Sequence, residues 1–81
     1  MNQQTVEEAI VDKLKSLLEI SDWQVGMEEY LVEYGLNSLR TIQLVVELEQ
    51  HFNITFEDDE LMVNHFSTIR SIANQVIRKL N

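Results

Sequence analysis

The stretch from Glu33 to Glu49 reads EYGLNSLRTIQLVVELE, a glycine-containing turn that runs into an apolar helix. Apolar residues recur at helical spacing after Asn37 and predict a helix over about residues 38–52. Asn53 is the predicted stop, because asparagine tolerates the left-handed backbone conformation that is common just past a helix end. The predicted apolar stripe consists of Ile42, Val45, Leu48 and Phe52, widened by Leu44.

Two further amphipathic helices are predicted on either side of this one. The first starts at a predicted capping box of Thr5 and Glu8 and ends near Glu19. The last is capped by Ser67 or Thr68 and continues to the end of the chain. Each carries an apolar stripe that needs a partner surface, so the three helices predict a bundle. The stripe of the last helix is Ile69, Ile72, Ala73, Val76, Ile77 and Leu80.

A short helical segment is predicted from residue 58 through about Asn64. Asp58, Asp59 and Glu60 open it, where acidic side chains suit the positive end of the helix dipole. A calcium loop is the alternative for these acids, but the alternating acidic spacing and the glycine turn of such loops are missing. The fold class is therefore all-α, a small four-helix bundle of three long helices and one short helix.

A long loop, residues 20–37, separates the first two long helices. It contains both glycines of the chain, and a loop of this length in a small domain is usually functional or includes a short helical turn. Its aromatic residues, Trp23, Tyr30 and Tyr34, are expected to pack against the bundle rather than to contact a ligand.

Composition narrows the possible functions. With 81 residues the chain is expected to be one domain over 1–81, and without cysteine it has no thiol of its own. The net charge of −8 repels nucleic acid and anionic lipid and favours basic protein surfaces. The first ten residues lack a basic, apolar leader, and no apolar run approaches the roughly 20 residues of a membrane span. A cytoplasmic location is expected, with no nucleic-acid or membrane partner.

Catalytic chemistry has few candidates in this sequence. The only histidines are His51 and His65, a thin basis for a zinc site without cysteine, so no metal is expected. A hydrolase using Ser38 would need one of them as base, and His51 lies about 13 residues along the same helix, roughly 20 Å away. His65 remains formally possible. No glycine-rich phosphate loop is present, and we do not expect an enzyme.

Ser38 is the one candidate site residue, because it lies where the turn becomes helix. A phosphate on its oxygen would be well placed among unpaired backbone amides at the positive end of the helix dipole. The same position suits serine as an ordinary N-cap, and from spacing alone the cap is the favoured interpretation.

A resemblance to a known family favours the interpretation of Ser38 as an attachment site. Gly35, Leu36, Asn37, Ser38 and Leu39, between two amphipathic helices, resemble the attachment site of the acyl and peptidyl carrier proteins, a phosphopantetheine-binding family. The similarity covers nearly the whole chain in order. It includes Glu49 to Phe52 at the end of the second helix, Ile54, the acidic segment 58–61, Phe66, and Ser67-Thr68-Ile69 at the start of the last helix.

The resemblance implies that Ser38 carries 4′-phosphopantetheine, installed from coenzyme A by a separate magnesium-dependent phosphopantetheinyl transferase. The arm's thiol would hold acyl or aminoacyl groups as thioesters for loading and processing enzymes, while the domain itself catalyses nothing. Asn37 would cap the helix beside the site. The residues expected to contact partner enzymes are Leu39, Arg40, Ile42, Gln43 and Val46.

Two departures from the family pattern refine this expectation. Asn37 stands where the family usually has aspartate, which bears on the choice of transferase. The exposed face of the second helix begins with Arg40, Gln43 and Val46, so the early part of the acidic stripe of fatty-acid carriers is absent. Only Glu47, Glu49 and the acidic segment from Asp58 to Glu60 remain. A monomeric, stand-alone carrier of a specialised nonribosomal peptide or polyketide type is therefore expected. A fatty-acid carrier is the alternative within the family, and an acidic helical interaction module without a prosthetic group is the alternative outside it.

Overall fold

The protein folds into three α-helices and two 3₁₀ turns within residues 2–61 and 65–80, the parts that the computed structural model describes. The helices are α1 (Gln3–Leu18), α2 (Ser38–Phe52) and α3 (Ile69–Leu80), and the 3₁₀ turns are Leu31–Tyr34 and Asp58–Leu61. No strand occurs in these ranges, so the all-α bundle prediction is confirmed. Within the described residues the predicted short helix is the 3₁₀ turn Asp58–Leu61, and its predicted end at Asn64 lies outside them.

Helix α1 begins two residues before its predicted start. Asn2 is the N-cap, and its Oδ1 atom accepts a hydrogen bond from the Thr5 amide at 2.8 Å. The predicted capping box of Thr5 and Glu8 is therefore wrong, because Thr5 already lies inside the first turn. The helix ends at Leu18, and Glu19 follows in the left-handed conformation with φ of 57°.

Helix α2 has the predicted bounds. Asn53 follows it with φ of 56°, and its amide donates to the Glu49 carbonyl, so the predicted stop is confirmed. The apolar stripe is narrower than predicted, because Ile42 is 60% exposed. The side chains of α2 that reach the core are Leu44, Val45, Leu48 and Phe52.

Helix α3 is capped by Thr68, one of the two predicted residues. The Thr68 hydroxyl accepts a hydrogen bond from the Ser71 amide at 3.0 Å. α1 packs against both other helices, and one continuous core runs between them. Its side chains from α1 and α3 are Val6, Ile10, Leu14, Leu18, Ile69, Ile72, Ala73 and Val76.

The long loop is fastened to the start of α3. Leu31 is fully buried, and its amide donates to the Ser67 carbonyl at 2.8 Å. The Arg70 amide donates to the Met27 carbonyl at 3.0 Å, and the Arg70 side chain lies 3.4 Å from the exposed carboxylate of Glu28. This loop therefore has a defined path across the bundle and includes a helical turn, as its length predicted.

Two of the three loop aromatics pack as predicted. Trp23 and Tyr34 are partly buried against the core. The prediction is wrong for Tyr30, which is 60% exposed although the adjacent Leu31 is fully buried. Tyr30 has an extended backbone conformation just before the 3₁₀ turn that begins at Leu31, and its side chain stays on the surface while Leu31 is anchored in the core.

Candidate functional site

Ser38 is the first residue of α2 and is exposed. The residue that caps the helix is Asn37, whose Oδ1 atom accepts a hydrogen bond from the Arg40 amide at 2.8 Å. Within the described part of the chain the Ser38 hydroxyl forms no hydrogen bond. The interpretation of Ser38 as the N-cap is therefore wrong, because the neighbouring asparagine has that role and leaves the serine oxygen accessible.

The turn before Ser38 depends on Gly35. This glycine has φ of 105°, a left-handed conformation that costs other residues free energy, and its amide donates to the Val32 carbonyl at 3.3 Å. Leu36 then inserts into the core with 6% exposure, and its amide donates to the carbonyl of Leu31. The chain is thus anchored just before α2, and Ser38 emerges at the helix N-terminus, where free backbone amides and the helix dipole favour negative charge.

The Arg40 side chain extends towards the end of α1. Its Nη1 atom donates to the Leu17 carbonyl at 3.4 Å and lies beside Gly35, and the side chain is half-buried. The expectation that Arg40 belongs to the exposed face of α2 is therefore wrong. The guanidinium instead interacts with a carbonyl in the last turn of α1, at the negative end of that helix dipole.

An open groove of about 650 Å³ adjoins Ser38. Its apolar base includes the buried side chains of Leu36 and Phe66. Exposed apolar side chains surround that base, an arrangement typical of small-molecule sites. The volume of the groove also lies within the range of such sites, roughly 300–1,000 Å³. Among the described residues the rest of the lining is Tyr30, Val32, Asn37, Ser38, Thr41, Ile42, Leu61 and Ser67.

Comparison with known proteins identifies the family. The family model described as "Phosphopantetheine attachment site" matches residues 8–76. The chain belongs to this carrier family. It is 32% identical over 77 residues to a D-alanyl carrier protein of Streptococcus suis, an alignment that covers 94% of this chain and 96% of that protein. An acyl carrier protein of Chlorobium phaeobacteroides is 24% identical over 80 residues, covering 98% of this chain and 100% of that protein.

Membership establishes what kind of protein this carrier is. Carriers of the family are not enzymes, and they hold their intermediates on covalently attached 4′-phosphopantetheine. They interact with a phosphopantetheinyl transferase and with biosynthetic enzymes. The arm supplies a terminal thiol for thioester formation, and this carrier has no cysteine that would compete with it.

The residues around Ser38 fit this prosthetic group. An exposed hydroxyl that has no partner in the described structure is open to modification. The helix N-terminus suits the negative charge of a phosphodiester. The groove beside it offers apolar surface together with hydroxyl and amide groups at its edge.

The exposed face of α2 is apolar where it follows Ser38. Leu39, Ile42 and Val46 are 66%, 60% and 45% exposed, and Gln43 is exposed beside them. These are four of the five residues predicted to contact partners, and the fifth, Arg40, is half-buried against α1. An apolar surface of this kind on a small protein is typical of an interaction site.

Charged and phenolic groups stabilise the loop that leads to the site. Glu29 accepts hydrogen bonds from the Tyr34 hydroxyl at 2.6 Å and from the Gly26 amide. The Tyr34 bond, with that of Gly26, lowers the pKa of Glu29 below its usual value, and the same bond to Glu29 raises the pKa of Tyr34. In the acidic segment, the hydrogen bond from the Lys79 ammonium is the main cause that lowers the pKa of Glu60.

Neither histidine is among the described residues that line the groove beside Ser38. His51 is exposed near the far end of α2, and Nδ1 of His65 lies 3.1 Å from the Glu60 carbonyl. No group of three or more potential metal ligands occurs in residues 2–61 and 65–80. Within the same ranges, no helix has the length and apolarity needed to cross a membrane.

Sequence reasoning did not predict the groove. Its lining combines the loop, the start of α2 and the segment just before α3, and no periodic pattern shows that these approach each other. The hydrogen bond from the Leu31 amide to the Ser67 carbonyl is one contact that joins the loop to the segment before α3. Phe66 entered the sequence analysis only as part of the family pattern, and Ser67 only in that pattern and as a candidate cap of the last helix.

Proposed function

We propose that this chain is a stand-alone carrier that holds acyl or aminoacyl intermediates as thioesters on 4′-phosphopantetheine attached to Ser38. The observation that carries the proposal is the division of roles at the start of α2. Asn37 caps the helix, so the exposed Ser38 hydroxyl has no role in holding the fold together. The carrier's own part is to present this oxygen, while the transferase supplies the base and the magnesium ion.

Incubation with coenzyme A, magnesium and a broad-specificity phosphopantetheinyl transferase tests this proposal. Intact-mass measurement should show a gain of one phosphopantetheine on the wild type and none on Ser38→Ala. Thr41→Ala is a matched control, because Thr41 is another hydroxyl residue of the same groove. An equal gain on Ser38→Ala and the wild type would contradict the proposal.

We infer further that the carrier serves a specialised pathway of the nonribosomal peptide or polyketide type. The support is that the acidic side chains of α2 have partners within the molecule. Glu47 lies 3.8 Å from the Lys13 ammonium, and Glu49 accepts a hydrogen bond from the Phe56 amide at 2.9 Å. With these two acids occupied within the molecule, α2 offers partners an apolar surface rather than the acidic one suited to basic patches.

An aminoacyl cargo is the first candidate, because the similarity to the D-alanyl carrier protein extends over 94% of this chain. A carrier of fatty-acid synthesis is the second, and the full-length similarity to an acyl carrier protein favours it. Loading assays on the modified protein separate them. Aminoacyl-adenylate ligases with their amino acids should add an aminoacyl mass, whereas exclusive loading by a malonyl transferase would show an acyl cargo, as in fatty-acid or polyketide synthesis.

We also propose that the carrier works as a monomer in the cytoplasm, with residues 1–81 forming one domain. Its extents of 31 × 25 × 20 Å suit a single small unit. The cytoplasmic location is proposed because the carrier must meet coenzyme A, which donates the arm. Sedimentation equilibrium should give a mass near 9.5 kDa, and cell fractionation tests the location.

A further inference from the structure

Two tyrosines four residues apart in the loop have different environments. The Tyr34 hydroxyl donates to Glu29 at 2.6 Å. The Tyr30 side chain forms no hydrogen bond within the described residues, is 60% exposed and lines the groove together with Ser38. The loop therefore holds one phenol for its own stability and leaves the other at the edge of the groove.

The exposed apolar side chains of the carrier are concentrated at this groove. Tyr30, Val32, Ile42 and Leu61 all line it and are 60%, 70%, 60% and 38% exposed. Only two other large apolar side chains in the described ranges, Leu39 and Val46, are similarly exposed. Such a concentration around a concave surface indicates that something covers it for part of the time.

We propose that Tyr30 holds the prosthetic arm in this groove, with its ring against the arm and its hydroxyl as hydrogen-bond donor to an amide carbonyl of the arm. The inference rests on the proposed attachment at Ser38. It commits to the arm as occupant because Ser38 itself lines the groove, so the arm would be tethered beside the surface that it covers.

Because the arm is tethered beside the groove, weak contacts are sufficient to hold it there. A short flexible link gives an effective concentration on the order of millimolar. A groove that binds the arm with an intrinsic dissociation constant on the order of 1 mM would then be about half-occupied. Partial occupancy suits a carrier, because partner enzymes can withdraw the arm at little cost.

The Tyr30 hydroxyl should account for part of this occupancy. A hydrogen bond of ordinary net strength corresponds to about a two- to tenfold change in an equilibrium constant. From half-occupancy, loss of the bond lowers the occupied fraction to between about a fifth and two-thirds of its former value. Tyr30→Phe removes the hydroxyl and keeps the ring, and because Tyr30 is exposed the substitution leaves the core intact.

The test compares amide chemical shifts of the unmodified and modified protein by NMR, with modification first verified by intact mass. Shift differences are expected at groove residues distant from Ser38 in sequence, Phe66 above all. In Tyr30→Phe these differences should fall to between about a fifth and two-thirds of the wild-type values. Tyr34→Phe is the matched control, because it removes the other tyrosine hydroxyl of the loop and keeps the ring. In this variant the shift differences should persist.

Each other result overturns the inference. Shift differences confined to the immediate sequence neighbours of Ser38 would show that the arm does not occupy the groove, while attachment at Ser38 would stand. Wild-type differences in Tyr30→Phe would show that the hydroxyl does not hold the arm. Failure of modification at Ser38 would overturn the proposed function as well, and the mass measurement distinguishes this case before any NMR comparison.

Discussion

Replacing Asn37 by alanine should destabilise the fold more than replacing the adjacent Ser38. Asn37→Ala removes the oxygen that accepts the Arg40 amide at 2.8 Å and leaves that amide without its capping partner. Loss of such a cap costs about 0.5 to 2 kcal/mol, typically about 1. For a chain of this size, 1 kcal/mol corresponds to about 4–8 °C in Tm. Ser38→Ala removes a side chain without a structural hydrogen bond and should stay within about 0.5 kcal/mol of the wild type.

The assay is urea and thermal unfolding of the unmodified proteins, followed by far-UV circular dichroism. The unmodified form is needed because the prosthetic group is absent from Ser38→Ala and would confound the comparison. Asn37→Asp is the control, since aspartate keeps the capping oxygen and adds a charge at the positive end of the helix, worth about 0.3–1 kcal/mol. Equal losses in Asn37→Ala and Ser38→Ala would refute the division of roles at the start of α2.

Three further substitutions test the rest of the structure. Leu48→Ala truncates a fully buried side chain and should cost about 2–5 kcal/mol in urea unfolding; a loss below that of Asn37→Ala would contradict the assignment of the α2 core face. Arg40→Gln shortens the side chain that reaches the Leu17 carbonyl and should cost about 0.5–1.5 kcal/mol, whereas no loss would mean that this contact contributes nothing. The pKa of Glu29, measured by NMR titration, should lie below its usual value, and in Tyr34→Phe it should rise towards that value. The pKa of Glu29 is lower in the folded state than in the unfolded state. Its contribution to stability is therefore present at pH values above the unfolded pKa and is lost as the pH falls through the folded pKa. An unchanged pKa in Tyr34→Phe would show that the phenol is not the main cause.

The helix ends with local signals could be predicted from the sequence. α2 has the predicted bounds, because Asn53 takes the left-handed conformation that asparagine tolerates. α3 starts after Thr68, a residue with a capping hydroxyl. The start of α1 was mispredicted because two caps compete, and asparagine is at least as good a cap as threonine. Asn2 therefore caps the helix three residues before the predicted cap, Thr5, which adds length to α1.

The surface of the site could be predicted only in part, because sequence periodicity says which residues share a face and not whether another element covers that face. Ile42 lies at helical spacing with core residues and is nevertheless exposed. Arg40 lies near exposed positions and yet reaches Leu17 on α1, 23 residues away. Such contacts depend on the packing of elements distant in sequence. The groove has the same origin, so Tyr30 gave no signal in the sequence beyond its position in a long loop.

The most direct measurement is to locate the phosphopantetheine on the chain. Trypsin cleaves after Lys15, Arg40 and Arg70, so it separates the peptide 16–40, which contains Ser38, from the peptide 41–70, which contains the other serine and threonine of the groove lining, Ser67 and Thr41. Fragmentation of the modified protein by mass spectrometry should assign the added mass to Ser38. An added mass on the peptide 41–70, or on another residue of the peptide 16–40, would contradict the account.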